Sequence, residues 1–117
     1  DTGLAYQAFK IAASINPQHA EALNNLAVLE MRRFKAADEP TRRDFALASA
    51  QGFLSGSTEY GPHLFEAAFN RSLVAFNSTG DYEEASKYVK MSLELYKTNP
   101  DAFDLLESLE KLLTSEH

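Results

Sequence analysis

One short phrase occurs twice in this chain, at the two ends of its helical pattern. Asn-Pro-Gln-His-Ala-Glu-Ala-Leu stands at 16–23 and Asn-Pro-Asp-Ala-Phe-Asp-Leu-Leu at 99–106, with the prolines 83 positions apart. An Asn–Pro pair is a helix start: the Asn side chain accepts from a first-turn N–H, and proline tolerates the first helical position, where its missing N–H does no harm. A chain that repeats its helix boundaries must bury repeated helices against one another. Six segments carry the period this requires. Leu4, Ala8, Phe9 and Ile15 mark the first; Leu23, Leu26 and Met31 the second; Ala46, Ala50, Phe53 and Leu54 a weaker third. Phe65, Phe69, Leu73 and Phe76 mark the fourth, Ala85, Val89 and Tyr96 the fifth, and Ala102, Leu105, Leu109 and Leu112 the clearest of all. Composition points the same way: 17 Ala and 15 Leu against 3 Val and 2 Ile favour helix over sheet.

The punctuation between stripes is legible too. Asp81 with Glu84 three residues on resembles a capping box, and Thr41 with Asp44 fits the same spacing. Gly80 supplies a turn before Asp81. Gly56 and Gly61, with Pro62 behind, are expected to break the chain between the third and fourth stripes. Polar residues from Lys35 to Pro40 are expected to connect the second and third helices.

A period of about 34 residues built from helix–turn–helix units is the signature of tetratricopeptide repeats. Ala5, Phe9, Ala12 and Pro17 fit the second helix of such a repeat, Leu23, Leu26 and Ala27 the first helix of the next, and Gly80-Asp81-Tyr82 with Ala85 the turn and second helix of the one after. Alanines flank the turns because paired helices approach closely there. The expectation is an all-α tetratricopeptide-repeat helical-hairpin solenoid of about six helices. Residues 1–16 would be the second helix of a repeat, 17–60 a repeat with an insertion, 61–98 a further repeat, and 99–115 a capping helix. The step from residue 20 to residue 66 exceeds the period by about twelve, so the insertion is expected around 34–45 and 55–62. The middle repeat is degenerate, with Phe53 where a small residue is expected and Ala50 where an aromatic is.

The same residues narrow the function classes. Eleven Lys and Arg against 17 Asp and Glu leave a net charge of −6, which argues against a nucleic-acid binder. The longest uncharged run, Phe45 to Thr58, is too short and too polar to span a bilayer. There is no cysteine, which fits a reducing, cytoplasmic setting. His19, His63 and His117 are far apart and none has metal-ligand spacing, and no phosphate loop or nucleophile motif occurs. No enzyme, metal or cofactor is therefore expected. The chain opens on Asp1 with no apolar leader behind it, so a fragment of a longer protein is expected.

Repeat solenoids offer a concave groove lined by the first helices of successive repeats. By resemblance to that architecture, Glu21, Asn24, Asn25, Val28, Met31 and Arg32 would line it from one repeat, and Asn70, Arg71, Val74 and Asn77 from the next. Asn and Arg suit an extended peptide's backbone or terminal carboxylate. Asn25 and Arg71 fall where repeat domains that clamp chaperone C-termini place an Asn and an Arg, but Ala67 and Asn24 occupy two of the expected lysine places. A basic patch of Arg32, Arg33, Lys35, Arg42 and Arg43 is the candidate site for an acidic partner surface or anionic lipid heads. An N-terminal face with Tyr6, Phe9 and Ile15 is expected to be sticky and to self-associate.

Residues 24–32, Asn-Asn-Leu-Ala-Val-Leu-Glu-Met-Arg, resemble the C-terminal repeats of the Bardet–Biedl syndrome protein 8 family, a tetratricopeptide subunit of the BBSome. Generic repeats place an aromatic where Glu30 stands, so Glu30 discriminates. The preceding Leu4-Ala5-Tyr6-Gln7-Ala8-Phe9 is also similar, and beyond residue 34 only the repeat pattern remains. The resemblance implies a scaffold subunit of a coat-like complex that carries membrane-protein cargo to and from cilia. Its partners would be other subunits, its place the ciliary base or basal body, and its membrane contact indirect. The alternative reading is a free-standing peptide-binding adaptor of the chaperone-associated type.

Overall fold

The computed structural model describes residues 2–115, and every regular element among them is helical. The chain divides into two compact units, Asp1–Pro62 and His63–His117.

The first unit holds α1 (Thr2–Ile15), α2 (Ala20–Ala36) and α3 (Pro40–Tyr60). Only residues 37–39 separate α2 from α3, so the two turn back on each other as an antiparallel hairpin. Its far end is closed by a hydroxyl: Ser57 Oγ near the end of α3 donates to the Ala20 carbonyl at the start of α2 over 2.7 Å. Ala22, Leu26, Ala27 and Leu29 from α2 and Ala46, Ala50 and Leu54 from α3 are buried. Small residues on the facing side let the axes come close. At Gly56 the approach is close, since a Cβ there would stand 3.1 Å from Leu23 Cδ1.

That contact explains why Gly56 lies inside α3 instead of breaking the chain. A helix-interior glycine costs about 1 kcal/mol, but here it admits the neighbouring helix. The helix stops at Gly61, whose N–H donates to the Ser57 carbonyl, just before Pro62. The residues of the expected insertion, around 34–45 and 55–62, are mostly helical. They lengthen α2 to 17 residues and α3 to 21. Two caps also differ from expectation. Asn16 shapes the turn, accepting from the Gln18 N–H at 3.1 Å, and α2 starts later, where His19 Nδ1 accepts from the Ala22 N–H at 3.1 Å. On α3, Pro40 takes the first helical position after Glu39, which makes no side-chain cap bond, and Thr41 falls inside the first turn.

The second unit holds α4 (Phe65–Val74), which runs into a π turn (Ala75–Thr79), then α5 (Tyr82–Leu95) and α6 (Pro100–Ser115). Gly80, at φ 70°, takes the left-handed conformation that ends the wide turn. Asp81 then caps α5 by accepting from the Glu84 N–H at 3.1 Å, as its spacing predicts. Hydroxyls close both ends of this hairpin. Ser72 Oγ of α4 donates to the Ala85 carbonyl at 2.6 Å, and Ser92 Oγ of α5 donates to the Phe65 carbonyl at 3.0 Å. The core is Ala75, Ala85, Val89, Ala102, Leu105 and Leu109, with Phe69, Leu73, Phe76, Tyr82, Leu93 and Leu106 packed around it. Asn99 starts α6 as its Asn–Pro pair predicts, its side chain accepting from the Asp101 N–H at 3.1 Å. The other side of α6, with Asp104, Glu107 and Lys111, faces water as expected of a closing helix.

The two α3 glycines should respond in opposite directions. Nothing lies within 4 Å of a Cβ placed at Gly52, so Gly52→Ala should stabilise the chain by about 0.5–1 kcal/mol through helix propensity. Gly56→Leu should force α2 and α3 apart and destabilise by about 1–3 kcal/mol. Urea denaturation followed by circular dichroism measures both.

Candidate interaction surface

On α2, Glu21, Asn25, Val28 and Arg32 recur at steps of four, three and four, which lays them on one face. Glu21 and Arg32 are exposed; Asn25, Val28 and Met31 are half-buried. Asn24 is buried and offers little surface to a partner. On α4 and the π turn, Asn77 is exposed and Asn70 and Arg71 are half-buried. Val74, only 5% exposed, turns inward and likewise presents little surface.

Arg71 is engaged inside its own hairpin. Its Nη2 donates to Glu84 Oε1 at 3.3 Å, and its guanidinium lies 4.2 Å from the centre of the Tyr88 ring. The planar fork that could hold a peptide carboxylate thus ties α4 to α5, with a carboxylate on one side and an aromatic face on the other. Ala67, at one of the expected lysine places, is fully buried.

The first unit repeats this construction with different residues. Glu30 is buried, and Arg33 Nη1 donates to its Oε1 at 2.9 Å. The Arg33 guanidinium lies 4.0 Å from the centre of the Tyr6 ring on α1. Glu30, Arg33 and Tyr6 therefore link α1 to α2. Sequence reasoning singled out Glu30 as unusual but missed its partner. The three-residue step from Glu30 to Arg33 was the available signal.

The basic patch surrounds this link. Glu30, Arg33, Glu39, Arg42 and Phe45 border a shallow depression of about 470 Å³ between the end of α2 and the start of α3. Arg42 Nε sits 3.4 Å from Glu39 Oε2 on the surface, and the Arg43 guanidinium lies 4.7 Å from the Phe34 ring centre. Arg32 and Lys35 are exposed. Phe45, 72% exposed beside the depression, is the surface residue that the helical stripes did not single out.

Of the residues expected to be sticky, Tyr6 and Phe9 are half-buried and Ile15 is exposed; the other large apolar residues exposed on α1 are Leu4 and Ile11. Tyr6 is held by Arg33, which explains the difference. His19 caps α2, His63 is exposed, and His117 lies outside the described residues. Among the described residues, no three His, Cys, Asp or Glu side chains are grouped to hold a metal ion, and no helix is long and apolar enough to cross a membrane.

Antiparallel helical hairpins with small residues at the seam, followed by a closing helix, define the tetratricopeptide-repeat fold. Solved structures share it. A thermophilic TPR protein from Thermus thermophilus superposes with a TM-score of 0.79 at 20% identity, over 95% of this chain and 58% of that one. The first TPR of Spaghetti (RPAP3), bound to the HSP90 peptide SRMEEVD, superposes at 0.76 with 18% identity, over 93% of this chain and 77% of that one. Among curated proteins, the chain is 32% identical to mouse tetratricopeptide repeat protein 8 over 111 residues and 31% identical to the human one. It is matched over 95% of its length but spans only 19% and 18% of those relatives. No protein-family model matches the chain.

The Glu30–Arg33–Tyr6 link predicts an asymmetric pair of variants. Arg33→Met leaves a buried carboxylate without its donor and should destabilise by about 1–3 kcal/mol. Adding Glu30→Met should recover part of that loss, because no unpaired charge remains. A double-mutant cycle by thermal unfolding measures the coupling.

Proposed function

We propose that the chain is a segment of a protein-interaction scaffold that works as a subunit of the BBSome coat complex, which moves membrane-protein cargo to and from cilia. The supporting observation is the 32% identity to tetratricopeptide repeat protein 8 sustained over 95% of the chain, in the family that residues 24–32 resemble. Glu30 adds to it. The residue that departs from generic repeats is buried and, within α2, ion-paired to the half-exposed Arg33, whose guanidinium lies over Tyr6 of α1. On this reading the partners are other coat subunits, the location is the cytoplasm at the ciliary base, and membranes are met through the complex.

Glu21, Asn25, Val28, Met31 and Arg32 on α2 and Asn70, Arg71 and Asn77 on the second unit remain the proposed groove contacts, Asn24 and Val74 contributing from behind. The patch of Arg32, Arg33, Lys35, Arg42 and Arg43 is proposed to meet an acidic subunit surface. Rim charges act through long-range attraction, so Arg42→Glu with Arg43→Glu should reduce recovery of purified BBSome subunits several-fold at low salt. High salt should abolish the difference. Unchanged recovery of every subunit would overturn the assignment of this patch, and no recovery by the unaltered chain would overturn the coat reading.

A second reading rests on the neighbour that holds an HSP90 peptide: a peptide-binding adaptor for acidic C-termini. Arg71 is engaged by Glu84 and Tyr88, and the two lysine places hold Ala67 and Asn24, both buried. A peptide ending in Met-Glu-Glu-Val-Asp should therefore bind more weakly than about 1 mM, less than about 4 kcal/mol of attraction. Arg71→Ala should lower the melting temperature instead of any peptide affinity. Tight calorimetric binding that Arg71→Ala removes would favour the adaptor over the coat subunit.

A further inference from the structure

Phe45 is the most exposed large apolar side chain on the hairpin of α2 and α3, at 72%. It borders the depression of about 470 Å³ at the turn of that hairpin, where Ala36, Ala37 and Ala46 supply the rest of the apolar lining. All the lining residues fall between positions 30 and 46, so a single hairpin of the first unit builds the hollow. An aromatic ring held in water beside an alanine floor is surface that gains by being covered.

The charges sort into two sets. Five lining residues are charged, and four of them are paired within the hairpin: Arg33 with Glu30 at 2.9 Å and Arg42 with Glu39 at 3.4 Å. Asp38 is the lining charge that makes no ion pair among the described residues. Outside the lining, the same stretch carries Arg32, Lys35 and Arg43 against Asp44. All four are exposed, and none makes an ion pair among the described residues. The hollow therefore has an apolar floor and arginines that are already compensated, while the unpaired cations stand around it. That is the anatomy of a protein-binding centre, an apolar contact shielded by a charged rim. A small molecule would be poorly enclosed in so shallow a hollow, because ligand sites bury most of the ligand's surface. A side chain that projects from a protein surface fits it, since the flanking contacts exclude the water.

We infer that Phe45 is the apolar anchor of the basic patch: an acidic segment of a coat subunit lays one uncharged aliphatic or aromatic side chain over Ala36, Ala37 and Ala46 against the Phe45 ring. Carboxylates flanking that side chain meet Arg32, Lys35 and Arg43, and Asp38 accepts from a main-chain N–H of the same segment. This rests on the coat reading and adds to it the chemistry of the partner's contact. The occupant's centre is apolar because the arginines of the lining already have carboxylates of their own. Its flanks are acidic because three unpaired cations surround the hollow against Asp44. Charge then governs how fast the partner arrives, and the apolar contact governs how long it stays.

The chain has no tryptophan, so Phe45→Trp places a single fluorescent reporter in the contact. Purified BBSome subunits are added one at a time. The subunit that binds should shift the emission to the blue and shield the indole from acrylamide. Phe45→Ser changes an exposed position and should leave the melting temperature unchanged, with Phe45→Gln as its replacement if it does not. It should lower recovery of that subunit about tenfold or more, at low and high salt alike, because an apolar contact is not screened. Arg42→Glu with Arg43→Glu should differ from the unaltered chain at low salt alone. Full recovery of the subunit by a folded Phe45→Ser variant would overturn the anchor and leave the coat reading standing. So would a complex in which the indole keeps the emission and quenching of an exposed one. Failure of the unaltered chain to recover any subunit would overturn both.

Discussion

Close approach of paired helices is the constraint on which the rest depends. Each hairpin meets it with small residues on the facing sides and a serine hydroxyl placed at the seam. Ser57, Ser72 and Ser92 are fully buried, and each donates across the hairpin to a main-chain carbonyl of the partner helix. A helical carbonyl already accepts one bond along its helix and has a second lone pair to offer. The hydroxyls therefore satisfy themselves without breaking either helix. Such a bond is worth about 1 kcal/mol when made and more when a buried donor is left without an acceptor. The serines thus favour one register of the hairpin over its neighbours. The glycine in α3 belongs to the same seam, since it makes room where Leu23 crosses.

A second device occurs once in each unit. An arginine bonds a carboxylate and lies over a tyrosine, and the three groups together join two helices. Arg33 does so between Glu30 and Tyr6, and Arg71 between Glu84 and Tyr88. Guanidinium groups suit this role because the same plane offers donors at its edge and a stacking face. The consequence for recognition is direct. Two of the cations that look available from sequence, Arg33 and Arg71, are each engaged by a carboxylate and a tyrosine of the fold, Arg33 while still half-exposed. The fully exposed candidates are Glu21, Arg32 and Lys35 on α2, Asn77, and Arg42 with Phe45 at the rim of the depression.

Much of this was readable in the residue pattern. The Asn99–Pro100 start of α6, the Asp81 cap with the Glu84 N–H as its donor and the turn at Gly80 all follow from local chemistry, which acts within four residues. The seam of α4 and α5 follows from Ala and Ser at helical spacing. Readings failed where a distant neighbour decided the outcome. Gly56 has the local character of a breaker, yet α2 lies against it and the helix runs on to Tyr60. Arg71 has the local character of a ligand-binding cation, yet α5 supplies both its partners. Tyr6 looks like an open apolar residue until Arg33 covers it.

Helical periodicity and the helix starts at Asp81 and Asn99 were determined by the sequence alone, because propensity, capping and amphipathic spacing are short-range properties of the chain. The tertiary structure decided which polar side chains are engaged and which are offered. Asn24 and Val74 share helices with exposed candidates but are buried, and Arg33 and Arg71 are tied to groups on other helices. Those outcomes depend on contacts between residues 13 to 27 positions apart in sequence, and no local pattern encodes which of the many side chains at such distances will meet.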